Sequence, residues 1–205
     1  KALFSAAERY RMMPQIDRWV VSKTIAKLAE AREFIEGRGA MFSINLSGQS
    51  LGDDEILEFI EEEIAQSELP ASCLCFEITE SAAVSNLDKA QGFIDRLRAI
   101  GCGISLDDFG AGLSSFAYLK NFNVDMLKID GSFIVDIAEN RISESMVAAI
   151  TQVAKVMELQ TVAEFVQNEE TRDLLAEMGV DFAQGHLFGK PKTFDKVIED
   201  LSTLA

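Results

Sequence analysis

Acidic and amide side chains recur at the ends of short apolar runs in this chain. Asn45 lies in Phe42-Ser43-Ile44-Asn45-Leu46-Ser47 and Glu77 in Phe76-Glu77-Ile78-Thr79-Glu80. Asp107 and Asp108 stand side by side in Ile104-Ser105-Leu106-Asp107-Asp108-Phe109-Gly110, and Glu164 closes Thr161-Val162-Ala163-Glu164. Oxygen-only donors of this kind suit Mg²⁺ or Mn²⁺ rather than zinc. Carboxylates brought together raise one another's pKa values unless cations sit among them. Adjacent carboxylates can reach two ions at once, and two metals about 3.5–4 Å apart are the usual arrangement for in-line attack on a phosphodiester. Lys128, in Leu127-Lys128-Ile129-Asp130, is a cation at a run's end among these acids. It can orient a nucleophilic water or stabilise transition-state charge, or it can be a salt bridge holding the carboxylates apart; the sequence favours neither.

The elements that must position these residues are readable from periodicity. Short apolar, β-rich runs near Met41–Leu46, Leu74–Thr79, Gly103–Asp107, Met126–Asp130, Gln160–Glu164 and Phe182–Leu187 predict strands. Amphipathic stretches between them predict helices. One runs from Ile16 to about Glu36, and Ile56, Ile60 and Ile64 line the next. Ala90, Phe93, Ile94, Leu97 and Ile100 line a third, and Met146, Val147, Ile150, Val153, Ala154 and Met157 a fourth. Strands alternating with helices build a parallel sheet whose strand ends emerge on one face. Asn45, Glu77, Asp107, Asp108, Lys128, Glu164 and Gln184 all fall there. The expected fold is α/β, a TIM-like (β/α)8 barrel. Six strands do not close such a barrel, so about two are expected upstream of Lys1. An open doubly wound sheet is the alternative.

Composition narrows the function. A net charge of −15 over 205 residues argues against polynucleotide binding, which needs many cationic contacts to phosphate. A small anionic ligand remains compatible where metal ions reverse the local field. No run approaches the roughly 20 apolar residues of a membrane span, and Cys73, Cys75 and Cys102 have neither zinc-type nor disulfide spacing. They read as buried thiols of a reducing cytoplasm. Gly110 and Gly112, in the loop Asp107 to Ser115, permit positive φ and close ligand approach, as a mobile active-site loop requires. His186 is the only histidine, so no histidine-based dyad exists; stacking near a ligand is one reading of it, and a structural place at a strand end is the simpler one. Trp19 is expected in the core and Glu61-Glu62-Glu63 on a solvated helix face.

With these residues assembled, the chain resembles the EAL domain, a phosphodiesterase module acting on cyclic di-GMP. Ser43-Ile44-Asn45-Leu46-Ser47, Phe76-Glu77-Ile78-Thr79-Glu80-Ser81 and Leu106-Asp107-Asp108-Phe109-Gly110 match its motifs, as do Leu127-Lys128-Ile129-Asp130, Val162-Ala163-Glu164 and Gln184-Gly185-His186-Leu187-Phe188-Gly189. The resemblance covers residues 1–205 as one domain, N-terminally incomplete because the Glu-Ala-Leu triplet does not occur among them. It implies metal-dependent hydrolysis of cyclic di-GMP to linear 5′-pGpG. By the same resemblance Asn45, Glu77, Asp107, Asp108 and Glu164 would be ligands of a two-metal Mg²⁺ or Mn²⁺ site. Lys128 would position the attacking water, Gln184 would support the site, and Glu80 would anchor the loop after Asp107-Asp108. A homodimer is also implied. So is a cytoplasmic location within a larger protein, membrane-tethered or not, that carries sensor or diguanylate-cyclase-like domains. Gln167 stands where the family has a second glutamate, and a neutral amide cannot act as a base. The alternative is therefore a catalytically impaired domain that serves as a cyclic di-GMP receptor or interaction module.

Overall fold

The computed structural model describes residues 2–35, 39–112 and 116–203. The chain opens with α1 (Ala2–Arg9), α2 (Met13–Glu30) and the short α3 (Arg32–Ile35) before entering β1 (Phe42–Leu46). Strand and helix then alternate: α4 (Asp54–Ser67), β2 (Leu74–Thr79), α5 (Glu80–Ser85), α6 (Leu87–Ala99) and β3 (Gly103–Phe109). The second half runs α7 (Phe116–Leu119), β4 (Met126–Ile129), α8 (Gly131–Ile134), α9 (Arg141–Val156) and β5 (Gln160–Ala163). It closes with α10 (Glu169–Glu177), β6 (Phe182–Ala183) and α11 (Phe194–Thr203).

Local chemistry sets the helix limits. Asp53 caps α4 by accepting from Glu55 N at 3.0 Å, and Asp54 and Glu55 place negative charge at the positive end of the helix dipole. Asn140 caps α9 in the same way, accepting from Ile142 N at 3.0 Å. The buried faces follow the expected spacing: Ile56, Ile60 and Ile64 on α4, Ala90, Phe93, Ile94 and Leu97 on α6, and Val147, Ile150 and Ala154 on α9. These stripes pack on Phe76, Ile78, Ile104, Leu106, Leu127 and Ile129, the outward-facing strand residues. Core apolar area thus lies between sheet and helices.

All six strands are parallel and neighbour one another in chain order, β1 to β6. A doubly wound sheet requires a reversal of strand order. None occurs among the described residues, so the winding is that of a barrel. Side chains on the opposite pleat, including Ser43, Glu77, Ser105, Lys128 and Val162, surround an inner cavity of about 190 Å³. No described helix is long and apolar enough to cross a membrane.

Several expectations are corrected. The first long helix is shifted: it starts at Met13, with Pro14 in its first turn, and ends at Glu30. Ala31 (φ −101°, ψ 13°) separates it from α3, and Glu36 lies outside the described residues. Trp19 is 63% exposed. The buried line of α2 is Met13, Asp17, Val21, Ile25 and Leu28, and a residue two positions from Asp17 and from Val21 lies on the other face. The last strand stops at Ala183 instead of reaching Leu187. A Cβ on Gly185 would lie 2.1 Å from the Val166 carbonyl oxygen, so the chain turns there against another backbone. Leu187 N then donates to Val166 O at 3.2 Å. Of the two loop glycines, only Gly110 has positive φ (+97°); Gly112 has none and would meet nothing with a Cβ. Residues 113–115 of that loop lie outside the described residues.

Candidate active site

Adjacent residues of a regular strand point to opposite faces, so Asp107 and Asp108 should not share a site. The structure resolves this with an irregularity. Between β3 and β4 the register is Ser105 to Met126 and Leu106 to Leu127, then shifts so that Phe109 pairs with Ile129. Within the shifted segment Asp108 adopts φ +52°, the left-handed region that short polar side chains tolerate best. Both carboxylates thereby turn toward the strand ends. Asp107, Asp108 and Glu164 can each bring one oxygen within 4.8 Å of the others.

Lys128 rises into this group from β4 and is 5% exposed. Its ammonium lies 3.1 Å from Glu77 Oε2, 2.9 Å from Asp107 Oδ1 and 2.9 Å from Glu164 Oε1. Burial opposes the charge, but the Glu164, Glu77 and Asp107 carboxylates outweigh it and hold the amine's pKa above its ordinary value. Burial pushes the Asp108 carboxyl up, and the charges of Asp107 and Asp130 push it further while Lys128 opposes. Burial likewise raises Glu164; Lys128 lowers it, and Asp107 and Asp108 add to the rise. Four carboxylates, Glu77, Asp107, Asp108 and Glu164, thus share the neighbourhood of one ammonium. An all-oxygen donor set with surplus negative charge fits a hard divalent ion.

The other expected residues take distinct places. Asn45 sits beside Glu77 in the β1–β2 register, with its side chain exposed. Glu80, buried at the start of α5, accepts from Gly110 N at 2.9 Å, tying α5 to the loop after Asp108. Gln184 is exposed just beyond β6, its backbone N donating to Ala163 O at 2.8 Å and its carbonyl accepting from Val166 N at 3.0 Å. A cavity of about 880 Å³ opens beside Glu164, its wall including Phe165, Gln167, Gln184, His186 and Phe188. His186 lies exposed on the cavity wall, three positions beyond the end of the strand expected to contain it. The three cysteines are buried free thiols as expected, and Glu61 on the acidic helix face pairs with Arg96 at 2.6 Å.

One supporting residue escaped the sequence reading. Asp17 is buried on α2, where it accepts from Ser47 N at 2.9 Å and Ser50 Oγ at 2.6 Å, and so fixes the segment that follows Asn45. A lone acid within an apolar helical stripe was the available signal, because a buried carboxylate must find donors.

Winding, register and the acidic cluster together define a parallel (β/α) barrel protein able to hold a divalent cation at the C-terminal strand ends. The EAL domain model matches residues 1–191, and the chain belongs to that family. It is 38% identical over 199 residues to the cyclic di-GMP phosphodiesterase PdeB of Shewanella oneidensis, covering 97% of this chain and 23% of that protein. It is 37% identical to the cyclic di-GMP phosphodiesterase PdeF of Escherichia coli, covering 97% of this chain and 26% of that one. The chain therefore spans about a quarter of the length of these relatives. Among solved structures, the PaMucR phosphodiesterase in complex with c-di-GMP superposes with a TM-score of 0.88 at 30% identity, over 95% of this chain and 78% of that one. The EAL domain of Mycobacterium smegmatis DcpA gives 0.85 at 31% identity, over 94% and 86%.

Proposed function

We propose that this domain hydrolyses cyclic di-GMP to linear 5′-pGpG with Mg²⁺ or Mn²⁺. The observation that carries the reading is the convergence of the Asp107, Asp108 and Glu164 oxygens on one point, with the Lys128 ammonium against two of them, Asp107 and Glu164. Asp107, Asp108 and Glu164 would hold the ions, joined by Glu77 and Asn45 from the neighbouring strand ends. When bound, such ions make water nucleophilic at neutral pH and neutralise charge developing on the phosphoryl oxygens. Lys128 keeps the Glu77, Asp107 and Glu164 carboxylates aimed at one point and would position the attacking water. Glu80 holds the loop after Asp108 through Gly110, and Gln184 lines the substrate cavity. Names of relatives that act on cyclic di-GMP, and a neighbour solved with it, support the choice of substrate.

In the whole protein, two further strands would sit between β6 and β1. The domain would work as a cytoplasmic homodimer attached to sensor or diguanylate-cyclase-like domains, as the family resemblance implies. The test is release of pGpG by the full-length protein with Mg²⁺ or Mn²⁺, abolished by Asp107→Asn. No product at saturating Mn²⁺ would refute hydrolysis.

A second reading has its own observation. Gln167 is exposed on the cavity wall and carries no charge. Binding without turnover would make the domain a cyclic di-GMP receptor, and turnover gained on Gln167→Glu would name the residue responsible.

A further inference from the structure

The run Gly103-Ile104-Ser105-Leu106 puts one hydroxyl inside an otherwise apolar strand. Ile104 and Leu106 pack toward the helices, so Ser105 faces the barrel interior, where it is 1% exposed. Its Oγ has no hydrogen-bond partner among the described residues. Other buried hydroxyls of the chain find protein acceptors: Ser50 Oγ donates to Asp17 at 2.6 Å, and Thr151 Oγ1 donates to Val147 O at 2.8 Å. A hydroxyl can both donate and accept, and leaving both capacities unmet in the interior is costly. A buried polar group of this kind calls for a ligand.

Ser105 opens on the inner cavity of about 190 Å³, whose wall also includes Ser43, Glu77, Met126 and Lys128. A water needs roughly 10–15 Å³ of such space and two to four polar partners, so the cavity has room for several. Register sets Ser105 directly beside Glu77 on β2 and Met126 on β4. Neighbouring strands run about 4.8 Å apart, so the Ser105 and Glu77 side chains rise next to each other without bonding directly. Glu77 Oε2 accepts from the Lys128 ammonium at 3.1 Å, and that ammonium also meets Asp107 and Glu164 at 2.9 Å each. Its three protons are thereby directed to three carboxylates, and none is left for Ser105. The same charges decide what the cavity can hold there. A cation would be repelled by Lys128 and an anion by Glu77. A small neutral molecule that both donates and accepts fits, and water is that molecule.

We propose that a buried water held by Ser105 Oγ donates to the Glu77 carboxylate from inside the barrel, making Ser105 a positioning residue for the metal site. The metal half of this inference rests on the phosphodiesterase reading above, in which Glu77 is a ligand. Groups behind a metal ligand fix its orientation, and their loss typically weakens metal binding by roughly 10–100-fold. Lys128 steadies Glu77 on one oxygen; the water bridge steadies it from the side that faces away from solvent.

The experiment compares wild type, Ser105→Ala and Ser105→Thr in the full-length protein. Mn²⁺ affinity is read without substrate by electron paramagnetic resonance, and folding by urea melts in chelator. Ser105→Ala should raise the Mn²⁺ Kd about tenfold while its urea midpoint in chelator stays at the wild-type value. The Mn²⁺ concentration that half-saturates hydrolysis should rise with that Kd. Ser105→Thr keeps the hydroxyl, in a cavity with room for its methyl group, and should bind Mn²⁺ as wild type does. A crystal structure of the wild-type protein should show a water within about 3.2 Å of both Ser105 Oγ and a Glu77 oxygen. No water there, or an unchanged Kd in Ser105→Ala, would overturn the positioning role and leave the phosphodiesterase reading intact. So would a threonine variant as weak as alanine, or a loss of affinity matched by a lower midpoint in chelator. A wild-type protein that binds no Mn²⁺ would overturn both.

Discussion

Lys128 shows how one residue can be both structural and chemical. Three carboxylates lie within 3.1 Å of its ammonium in a buried setting, so the salt-bridge half of its two readings is present in the geometry. Removing one member of a buried ionic group leaves the others uncompensated, a loss of about 3 kcal/mol or more. Lys128→Met should therefore unfold at lower urea concentration than wild type in the presence of chelator. Added Mn²⁺ should recover more stability in the variant than in wild type, because the ion replaces the missing charge. Equal stability of the two proteins in chelator would contradict this account. The thiols make a second residue-scale case. Burial first, then the Glu77 charge, pushes Cys75 up to about 12, and burial does the same for Cys102. The reactive species is the thiolate, so raising a thiol's pKa lowers its reactivity at any pH below that value. At pH 8 roughly one molecule in 10⁴ would carry either thiolate. Iodoacetamide at pH 8 should leave both cysteines unlabelled in the native protein and label both in guanidinium; rapid native labelling would argue against their burial.

Elements carry what single residues cannot. The loop after β3 begins at Gly110, whose φ of +97° and crowded surroundings both exclude a side chain: a Cβ would meet Phe133 at 2.9 Å and Ile150 at 3.1 Å. Gly110→Ala should destabilise by about 2 kcal/mol or more and weaken the hold of Glu80 on the loop, lowering activity. Gly112→Ala, in open space, should change stability by less than about 0.5 kcal/mol. Urea melts of the pair check both values, and similar melts would remove the distinction. This contrast marks where sequence reading ends. Both glycines looked alike in the sequence, as Trp19 looked like a core residue, because spacing reports local periodicity and not which neighbour arrives from elsewhere. The apolar strands and the stripes of α4, α6 and α9 were legible, since their burial is encoded every two or every three to four residues. The shifted register at Asp107-Asp108, the turn at Gly185 and the buried Asp17 were not, because each is set by a distant backbone or donor.

At the scale of the whole molecule, the sheet has two edges. β1 and β6 each pair with a single neighbour among the described residues. Met41 and Phe182, which line the inner cavity, are 45% and 50% exposed, and Asn45 faces the same side without cover. Exposed apolar side chains beside unpaired strand edges are a poor end point for a parallel sheet, which normally is covered on both faces and protected at its margins. Two further strands between β6 and β1 would bury these side chains, pair the β1 amides and bring cover to Asn45, the ligand candidate nearest the gap. The expected outcome is specific to place. In a protein extended upstream by about fifty residues, the size of one or two βα units, β1 amides should exchange far more slowly than in the 205-residue span, while β3 and β4 amides change little. Metal-dependent hydrolysis should rise in the same extended protein, because Asn45 and Glu77 share the end of the sheet that the added strands complete. Equal β1 exchange in the two proteins, measured by hydrogen–deuterium exchange, would mean that six strands already form a finished sheet and that Asn45 works without further cover.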